Sequence, residues 1–206
     1  MRLLLVRHAE TEESARGRCY GTLDVGLSDA GREQCTLLAR SLSREQIAAV
    51  VSSPRVRAIE TARSIAEPHG LEVAVAADVR ELDFGELEGR TYDEIMVSLP
   101  ELYSDWMTQP TRVRFPGGES YADLHARAVA AVEALHAEHR GRVVVLVTHG
   151  GVVRAVLAEV LGIPDGRIFR LSIEPASVSI LDWFGHEPVV AVVNDLGLRE
   201  ELSSPT

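Results

Sequence analysis

The stretch LLLVRHAET, residues 3–11, starts as a buried strand and ends in a charged pair. Its first four residues are apolar, which is typical of a strand that is covered on both faces of a parallel sheet. Arg7 and His8 follow directly, where the strand should end. Ligands of such sheets lie beyond the carboxyl ends of the strands, so the pair is either a solvated strand end or the floor of a binding site.

Further apolar runs predict the rest of that sheet. With the first run at 2–6, they occupy residues 48–52, 143–148 and 177–182, and a weaker run occupies 189–193. Amphipathic segments predict helices at 29–42, 55–67, 119–139 and 151–161. This alternation indicates an α/β fold with a mostly parallel sheet, in one domain over residues 1–206. The stretch 82–118, with its Gly, Pro, Trp and Tyr, interrupts the alternation, and we interpret it as a small helical or loop insertion, a lid over the sheet edge.

The charge balance argues against several classes of partner. The chain has 31 acidic and 21 basic residues, a net charge of −10, which disfavours nucleic acid and anionic membrane surfaces. Any anion site must therefore be local. Cys19 and Cys35 are too few for a disulfide scaffold, the first apolar run is too short for a signal peptide, and no stretch has the roughly 18 apolar residues of a membrane helix. We expect a cytoplasmic protein.

Residues that can carry chemistry follow three of the predicted strands. They are Arg7 and His8 after the first strand, Arg55 and Arg57 after the second, and His149, Gly150 and Gly151 after the strand at 143–148. The two glycines begin a predicted helix, whose amino end offers N–H donors and positive dipole to an anion. Two histidines and at least one arginine at one rim of the sheet favour a phosphate pocket over unrelated surface features.

Phosphoryl transfer needs these residue types. A fixed guanidinium neutralises the charge that spreads over the phosphoryl oxygens. A neutral imidazole nitrogen can attack phosphorus when the other ring nitrogen is held as a donor, most simply to a backbone carbonyl. The leaving oxygen then takes a proton from a carboxylic acid. Glu81 in RELDFGELEG is our candidate for this acid, and the spacing leaves Glu86 and Glu88 open.

Six segments, in this order, resemble the histidine phosphatase superfamily, also called the phosphoglycerate mutase-like family. They are LLLVRHAET, GLSDAGREQ at 26–34, SSPRVRAIETA at 52–62, RELDFGELEG at 80–89, FPGGES at 115–120 and VTHGG at 147–151. The resemblance implies a single histidine phosphatase domain, built as a three-layer α/β/α sandwich. It makes His8 the phosphorylated nucleophile and Glu81 the proton donor, with Arg7, Arg57 and His149 around the phosphoryl oxygens. It also implies a reaction without a metal or an organic cofactor.

Two other histidines have a spacing that could suit a metal ion. His136 and His139 lie three positions apart on a predicted helix, but no third ligand is evident. We interpret them as part of a solvated helix face.

Two positions depart from the family pattern. Ala9 stands where the glycine of an RHG triplet is common, and Ser14 stands where many members have an asparagine that contacts phosphate. Ser14, or a neighbour such as Thr22, would then make that contact. Gly21 and Gly150 complete our substrate-binding candidates, besides Arg7, Arg57 and His149.

Within the superfamily, CYG at 19–21 together with FPGGES resembles α-ribazole phosphatases, which remove phosphate from a nucleotide-loop precursor in cobalamin synthesis. Cys19 is equally explained as a small buried apolar group. A broad-specificity phosphatase and a phosphoglycerate mutase remain alternatives, and the short insertion favours simple hydrolysis. A non-catalytic phosphate-binding protein is disfavoured, because every expected catalytic residue is present. We expect a small phosphorylated metabolite as partner and leave a homodimer open.

Overall fold

The computed structural model describes residues 1–185 and 187–196 and has one six-stranded sheet in that range. The strands are β1 (Arg2–Arg7), β2 (Ile47–Ser52), β3 (Val73–Val75), β4 (Val143–Thr148), β5 (Val178–Trp183) and β6 (Pro188–Asp195). The α-helices are α1 (Asp29–Leu42), α2 (Val56–Ala66), α3 (Tyr92–Ser98), α4 (Pro100–Thr108), α5 (Tyr121–Glu138) and α6 (Gly150–Leu161). All predicted strands and helices are found. The predicted domain also includes residues 197–206, which lie outside the described range.

The sheet is mixed and mostly parallel. Its strand order is β3-β2-β4-β1-β5-β6. β1 to β4 run parallel to one another, whereas β5 pairs antiparallel with β1 and β6 antiparallel with β5. The prediction of an α/β fold is confirmed. β3 was not predicted, since it has three residues, two of them exposed.

Alternate residues of β1 are buried against opposite layers of helices. Leu3 and Leu5 share a core with residues of α5 and α6, while Leu4 and Val6 share a core with residues of α1 and α2. Each fully buried side chain of this kind contributes about 1.5–3 kcal/mol of transfer free energy. The three-layer sandwich is therefore confirmed, and β1 lies in its middle layer.

The helices begin where the sequence signals predicted. Ser28 caps α1 by accepting from the Gly31 N–H at 2.9 Å. Ser120 and Asp123 form a capping box at the start of α5, which is the GGES signal. Such caps satisfy N–H groups that have no partner within the helix. No helix among the described residues combines the length and the apolarity that a membrane span requires.

The stretch 82–118 contains α3 and α4 and has a small core of its own. Leu87, Ile95, Trp106 and Phe115 are buried together there, and Cys19 joins them from the first part of the chain. Trp106 of α4 packs edge-on to Phe115 at 5.1 Å, and its ring lies 5.4 Å from the Tyr92 ring of α3, so aromatic contacts join these two short helices. The role of the 82–118 stretch as a lid stays a prediction.

Candidate active site

His8 and His149 meet at the carboxyl ends of the two central strands. β1 and β4 pair with Arg7 opposite Thr148, and a histidine follows each of them. The His8 N–H donates to the Thr148 carbonyl at 2.8 Å. The two ring centroids are 5.1 Å apart, and both residues are buried. The topology thus brings together two residues that are 141 positions apart in the sequence (149 − 8).

The ring of His8 is fixed by the main chain. Its Nδ1 lies 2.8 Å from the Ala9 carbonyl oxygen. A carbonyl can only accept, so we assign the ring hydrogen to Nδ1, which leaves a lone pair on Nε2. The Ala9 N–H donates to Thr61 Oγ1 at 3.0 Å, and that hydroxyl donates to the Arg57 carbonyl at 2.8 Å. Thr61, which the sequence reasoning missed, therefore ties the turn after β1 to α2.

Ser53, directly after β2, holds the second histidine. Its Oγ lies 2.7 Å from His149 Nε2, and both side chains are fully buried. When this hydroxyl donates to Nε2, the ring hydrogen of His149 lies on Nδ1. Since Nδ1 has no hydrogen-bond partner among the described residues, it can donate to an anion.

Arg57 is fully buried and its orientation is set by main-chain carbonyls. Nη1 donates to the Leu23 carbonyl at 2.9 Å, and Nη2 donates to the carbonyls of Tyr20 and Gly21 at 3.1 and 3.0 Å. The guanidinium carbon lies 5.0 Å from the centroid of the Tyr20 ring. Nε is left without a partner in the described part of the chain.

Arg7 is held in the same way. One Nη1 hydrogen is donated to the Ile173 carbonyl, and the buried Nε has no acceptor within 1–185 and 187–196. Together with Nε of Arg57 and Nδ1 of His149, this makes three buried donors without acceptors. Each such group is unfavourable by about 1–3 kcal/mol. A cluster of them beside His8 is therefore typical of an anion-binding site.

Glu81 reaches this region from the loop after β3. Oε1 accepts from the Leu82 N–H at 2.9 Å, and Oε2 accepts from the Gly151 N–H at 3.1 Å. A Cβ at position 151 would lie 2.2 Å from Oε1, so a larger residue there would displace the carboxylate. Of the two alternatives that the spacing left open, Glu86 is exposed and Glu88 accepts hydrogen bonds from main-chain N–H groups.

Arg127 of α5 holds the loop that carries Glu81. Its guanidinium donates to the carbonyls of Asp78, Arg80 and Glu81 at 2.7, 2.6 and 3.0 Å, and to the Glu119 carboxylate at 3.0 and 2.8 Å. Burial alone would raise the pKa of Glu119, but the hydrogen bonds and charge of Arg127, with smaller effects of the Asp83 N–H and of Arg80, outweigh it and lower that pKa. Glu119 therefore stays ionised and holds Arg127 in place. Neither residue was predicted.

Two cavities border His8. The smaller has a volume of about 130 Å³, and Arg7, Arg57 and Glu81 line it together with His8. The larger has a volume of about 610 Å³ and shares Arg7 and His8 with the smaller one. His149 lines neither cavity and contacts the His8 ring instead. The smaller cavity therefore combines the predicted nucleophile, proton donor and two cations.

Three further side chains line both cavities and were missed by the sequence reasoning. They are Arg18, Tyr20 and Tyr92. Arg18 donates to the Gly89 carbonyl at 2.7 Å, and the Tyr20 hydroxyl accepts from Thr11 Oγ1 at 3.2 Å. Arg18 and Tyr20 come from an irregular segment without a periodic pattern, and Tyr92 is the first residue of the short helix α3. The only available signal was a basic residue two positions before an aromatic one in RCYG.

The remaining substrate-binding candidates do not share one environment with each other. Ser14 is exposed, and its Oγ lies 3.5 Å from Glu12 Oε2 rather than in either cavity. The N–H groups of Gly21 and Thr22 donate to Glu88. Gly150 is buried at the start of α6, where a Cβ would lie 3.5 Å from Arg7 Nε. A role in substrate binding stays a prediction for these residues.

Cys19 lines the smaller cavity but is almost fully buried. Burial, and then the charge of Glu88, raise the pKa of its thiol to about 12. The thiol is therefore neutral at ordinary pH, which supports its interpretation as a small apolar group.

His136 is half-buried and stacks on Trp183, with ring centroids 4.9 Å apart. This differs from the solvated helix face that we expected, because β5 supplies an aromatic partner that the sequence of α5 does not reveal. No three His, Cys, Asp or Glu side chains of the described residues lie close enough together to hold a metal ion.

Burial lowers the pKa of both site histidines well below the ordinary value of 6.5. The positive charges of Arg57 and Arg7 add to this effect for His8, against a small opposing effect of its bond to Ala9. For His149, the neighbouring His8 and the arginines act in the same direction. Both rings are therefore neutral at pH 7, which is the state that a nucleophilic imidazole requires.

We expect the free energy of unfolding to fall as the pH is lowered below about 6.5. There the unfolded chain binds protons at His8 and His149 while the folded chain does not, so each contributes a slope of up to about 1.4 kcal/mol per pH unit. Urea unfolding between pH 7.5 and 5.5, in phosphate-free buffer, measures this slope. His8→Gln should lower this slope by the contribution of one proton, which is up to about 1.4 kcal/mol per pH unit.

His69→Gln is the matched control for that measurement, because His69 follows α2 and lies outside the site. It should leave the contribution of His8 and His149 to the slope unchanged. A slope that is equal in wild type and His8→Gln would contradict a neutral, buried His8.

Comparison with known proteins gives the family of the chain. A family model for the histidine phosphatase superfamily (branch 1) matches residues 3–196. Phosphoserine phosphatase 1 of Hydrogenobacter thermophilus is 36% identical over 194 residues, which are 94% of this chain and 92% of the relative. Glucosyl-3-phosphoglycerate phosphatase of Mycolicibacterium vanbaalenii is 35% identical over 170 residues, 79% of this chain and 75% of the relative.

A solved structure has a similar fold. The crystal structure of the α-ribazole phosphatase from Shigella flexneri matches with a TM-score of 0.87 at 26% identity, and covers 98% of this chain and 100% of that chain. The resemblance that the six segments predicted is confirmed: this chain belongs to branch 1 of the histidine phosphatase superfamily.

Proposed function

We propose that this chain hydrolyses phosphomonoesters of small metabolites in two steps, through a phosphohistidine at His8. The observation that carries the proposal is the set of buried donors without acceptors on Arg7, Arg57 and His149, next to a histidine whose Nδ1 is held by a carbonyl. Directed donors, those of the two arginines being cationic, suit the oxygens of a phosphoryl group. The lone pair on His8 Nε2 is then available for attack.

The proposed reaction uses His8 and Glu81 twice. In the first step, Nε2 of His8 attacks phosphorus, the ester P–O bond breaks, and protonated Glu81 gives its proton to the leaving oxygen. In the second step, the Glu81 carboxylate takes a proton from a water molecule whose oxygen attacks phosphorus, and the P–N bond breaks. Inorganic phosphate leaves, and neutral His8 and protonated Glu81 are regenerated.

The larger cavity supports phosphoserine as the first substrate candidate. Its lining includes the carboxylates of Glu10, Glu12 and Asp29 as well as the guanidiniums of Arg16 and Arg18. Charges of both signs suit a leaving group that has an ammonium and a carboxylate, as serine has. The Hydrogenobacter relative, which is named a phosphoserine phosphatase, supports the same choice.

α-Ribazole phosphate is the second candidate. Its nucleoside leaving group is larger than serine, and a volume of about 610 Å³ leaves room for it. Tyr20 and Tyr92 line this cavity and offer aromatic surfaces to a base. The CYG triplet and the likeness to the Shigella structure also support this candidate.

A substrate panel tests both the hydrolysis of phosphomonoesters and the choice of substrate. We expect release of inorganic phosphate from phosphoserine, α-ribazole phosphate, glucosyl-3-phosphoglycerate and p-nitrophenyl phosphate, with kcat/KM highest for phosphoserine by about tenfold or more. Glu12→Gln should lower the value for phosphoserine but not for p-nitrophenyl phosphate, whereas Glu138→Gln on the exposed face of α5 should change neither.

Other outcomes of the panel would change the assignment. The highest kcat/KM for α-ribazole phosphate would make it the substrate. Conversion of 3-phosphoglycerate to its 2-phosphate isomer without phosphate release would favour the mutase alternative. No release from any ester would contradict the proposed hydrolysis.

A further inference from the structure

Glu88 lies in a concave group of main-chain N–H donors. Its Oε1 accepts from Gly21, Thr22 and Phe84 at 3.1, 2.9 and 3.1 Å, and its Oε2 accepts from Gly21 and Leu23 at 3.0 and 3.3 Å. Successive N–H groups that point to one side form an anion-binding concavity. Here the anion is a side chain of the same molecule.

The same loop, residues 20–23, holds Arg57 through its carbonyl groups. Tyr20, Gly21 and Leu23 accept the hydrogen bonds of the two Nη atoms. The loop therefore gives its N–H groups to Glu88 and its carbonyls to Arg57. Because all these bonds depend on one backbone conformation, we expect a change at Glu88 to shift the carbonyls that orient Arg57 as well.

The backbone around this loop has little room to adjust. A Cβ at Gly21 would lie 1.7 Å from the Leu82 carbonyl oxygen and 2.9 Å from Glu88 Oε1. The Gly89 N–H donates to the Cys19 carbonyl at 2.7 Å, so the segment after Glu88 is bonded to the segment before the loop. Leu87 is fully buried in the core of the 82–118 stretch. The backbone that carries Glu88 is therefore fixed in position.

We propose that Glu88 is a positioning residue for phosphate binding, which holds loop 20–23 in the conformation that directs Arg57 Nε toward the phosphoryl group. The proposal rests on the proposed function in taking Arg57 as a phosphate ligand. Glu88 itself neither touches the substrate nor transfers a proton. A displacement of about 1 Å in such a ligand can reduce activity about 10²-fold, so the effect should be measurable.

The first test is the binding of inorganic phosphate and of orthovanadate to the intact protein by titration calorimetry. Glu88→Gln replaces one acceptor oxygen by an NH2 group, which cannot accept from the loop. We expect Kd to rise about 10- to 100-fold, with a matching loss in kcat/KM. Glu86→Gln removes the same charge from an exposed side chain two residues away and should leave Kd unchanged.

A double-mutant cycle with Arg57→Lys separates positioning from a general loss of structure. Lysine at position 57 lacks the fork that the loop orients, so in that background Glu88→Gln should change Kd less than about twofold. An equal loss in both backgrounds would show that the two residues act independently and would overturn the proposal. So would an unchanged Kd in Glu88→Gln, or a variant that fails to fold, since the role would then be in stability.

Phosphate binding is measured without turnover, which keeps the two proposals distinguishable. A protein that binds phosphate through Arg57 but forms no phosphoenzyme would contradict the proposed function and leave the role of Glu88 intact.

Discussion

His8→Ala is expected to reduce the hydrolysis of every phosphomonoester by about 10⁴-fold or more. The reason is that Nε2 of His8 is the only group that the proposed mechanism uses to form a bond to phosphorus. A pocket of arginines alone can bind the ester but offers no covalent path. Steady-state release of phosphate from p-nitrophenyl phosphate measures the effect over a wide range of rates.

The phosphoenzyme itself gives a sharper test of the same residue. Mixing the protein with a labelled ester and denaturing it rapidly in alkali should leave one phosphoryl group on His8. His149→Ala should still become labelled, though more slowly, because it removes a donor and not the nucleophile. Label on His149, or a His8→Ala protein that retains wild-type turnover, would contradict the assignment.

Glu81→Gln is expected to slow turnover by about 10²–10⁴-fold for alkyl esters such as phosphoserine. An alkoxide is a poor leaving group, so it needs the proton that glutamine cannot give. Nitrophenolate leaves without help, and the loss for p-nitrophenyl phosphate should be much smaller. The ratio of kcat/KM for the two esters, in wild type and variant, measures this selectivity.

Gly151→Ala tests the role of Glu81 as the acid without replacing Glu81 itself. The added Cβ would meet Oε1 of Glu81 at 2.2 Å and displace the carboxylate without removing it. We expect the same selective loss for alkyl esters. Gly166→Ala, where a Cβ meets nothing within 4 Å, and Glu86→Gln are the controls. Equal losses for good and poor leaving groups would mean that Glu81 is not the acid.

The sequence predicts well those parts of the site that lie at strand ends. Val6 and Val147 belong to runs whose burial on both faces is a local pattern, and the chemical groups simply follow them. Parallel pairing then brings Arg7 and His149 to one edge without further information.

The parts that depend on loops could not be predicted in the same way. Arg18, Tyr20 and Tyr92 line the cavities because the 82–118 stretch packs against the segment around Cys19, and that contact has no periodic signature. Glu88 was left open as an alternative to Glu81, since spacing cannot tell a proton donor from a carboxylate surrounded by main-chain N–H groups. Ser14 was chosen by resemblance alone; it is exposed in the structure, and its role in substrate binding stays a prediction.

The hydrogen bond between His8 Nδ1 and the Ala9 carbonyl would also decide the regiochemistry of the proposed phosphohistidine intermediate. Phosphohistidine exists as two constitutional isomers, and here only the isomer substituted at the nitrogen remote from the main chain can form. The covalent intermediate should therefore be a single chemical species, with one phosphorus resonance in the denatured protein.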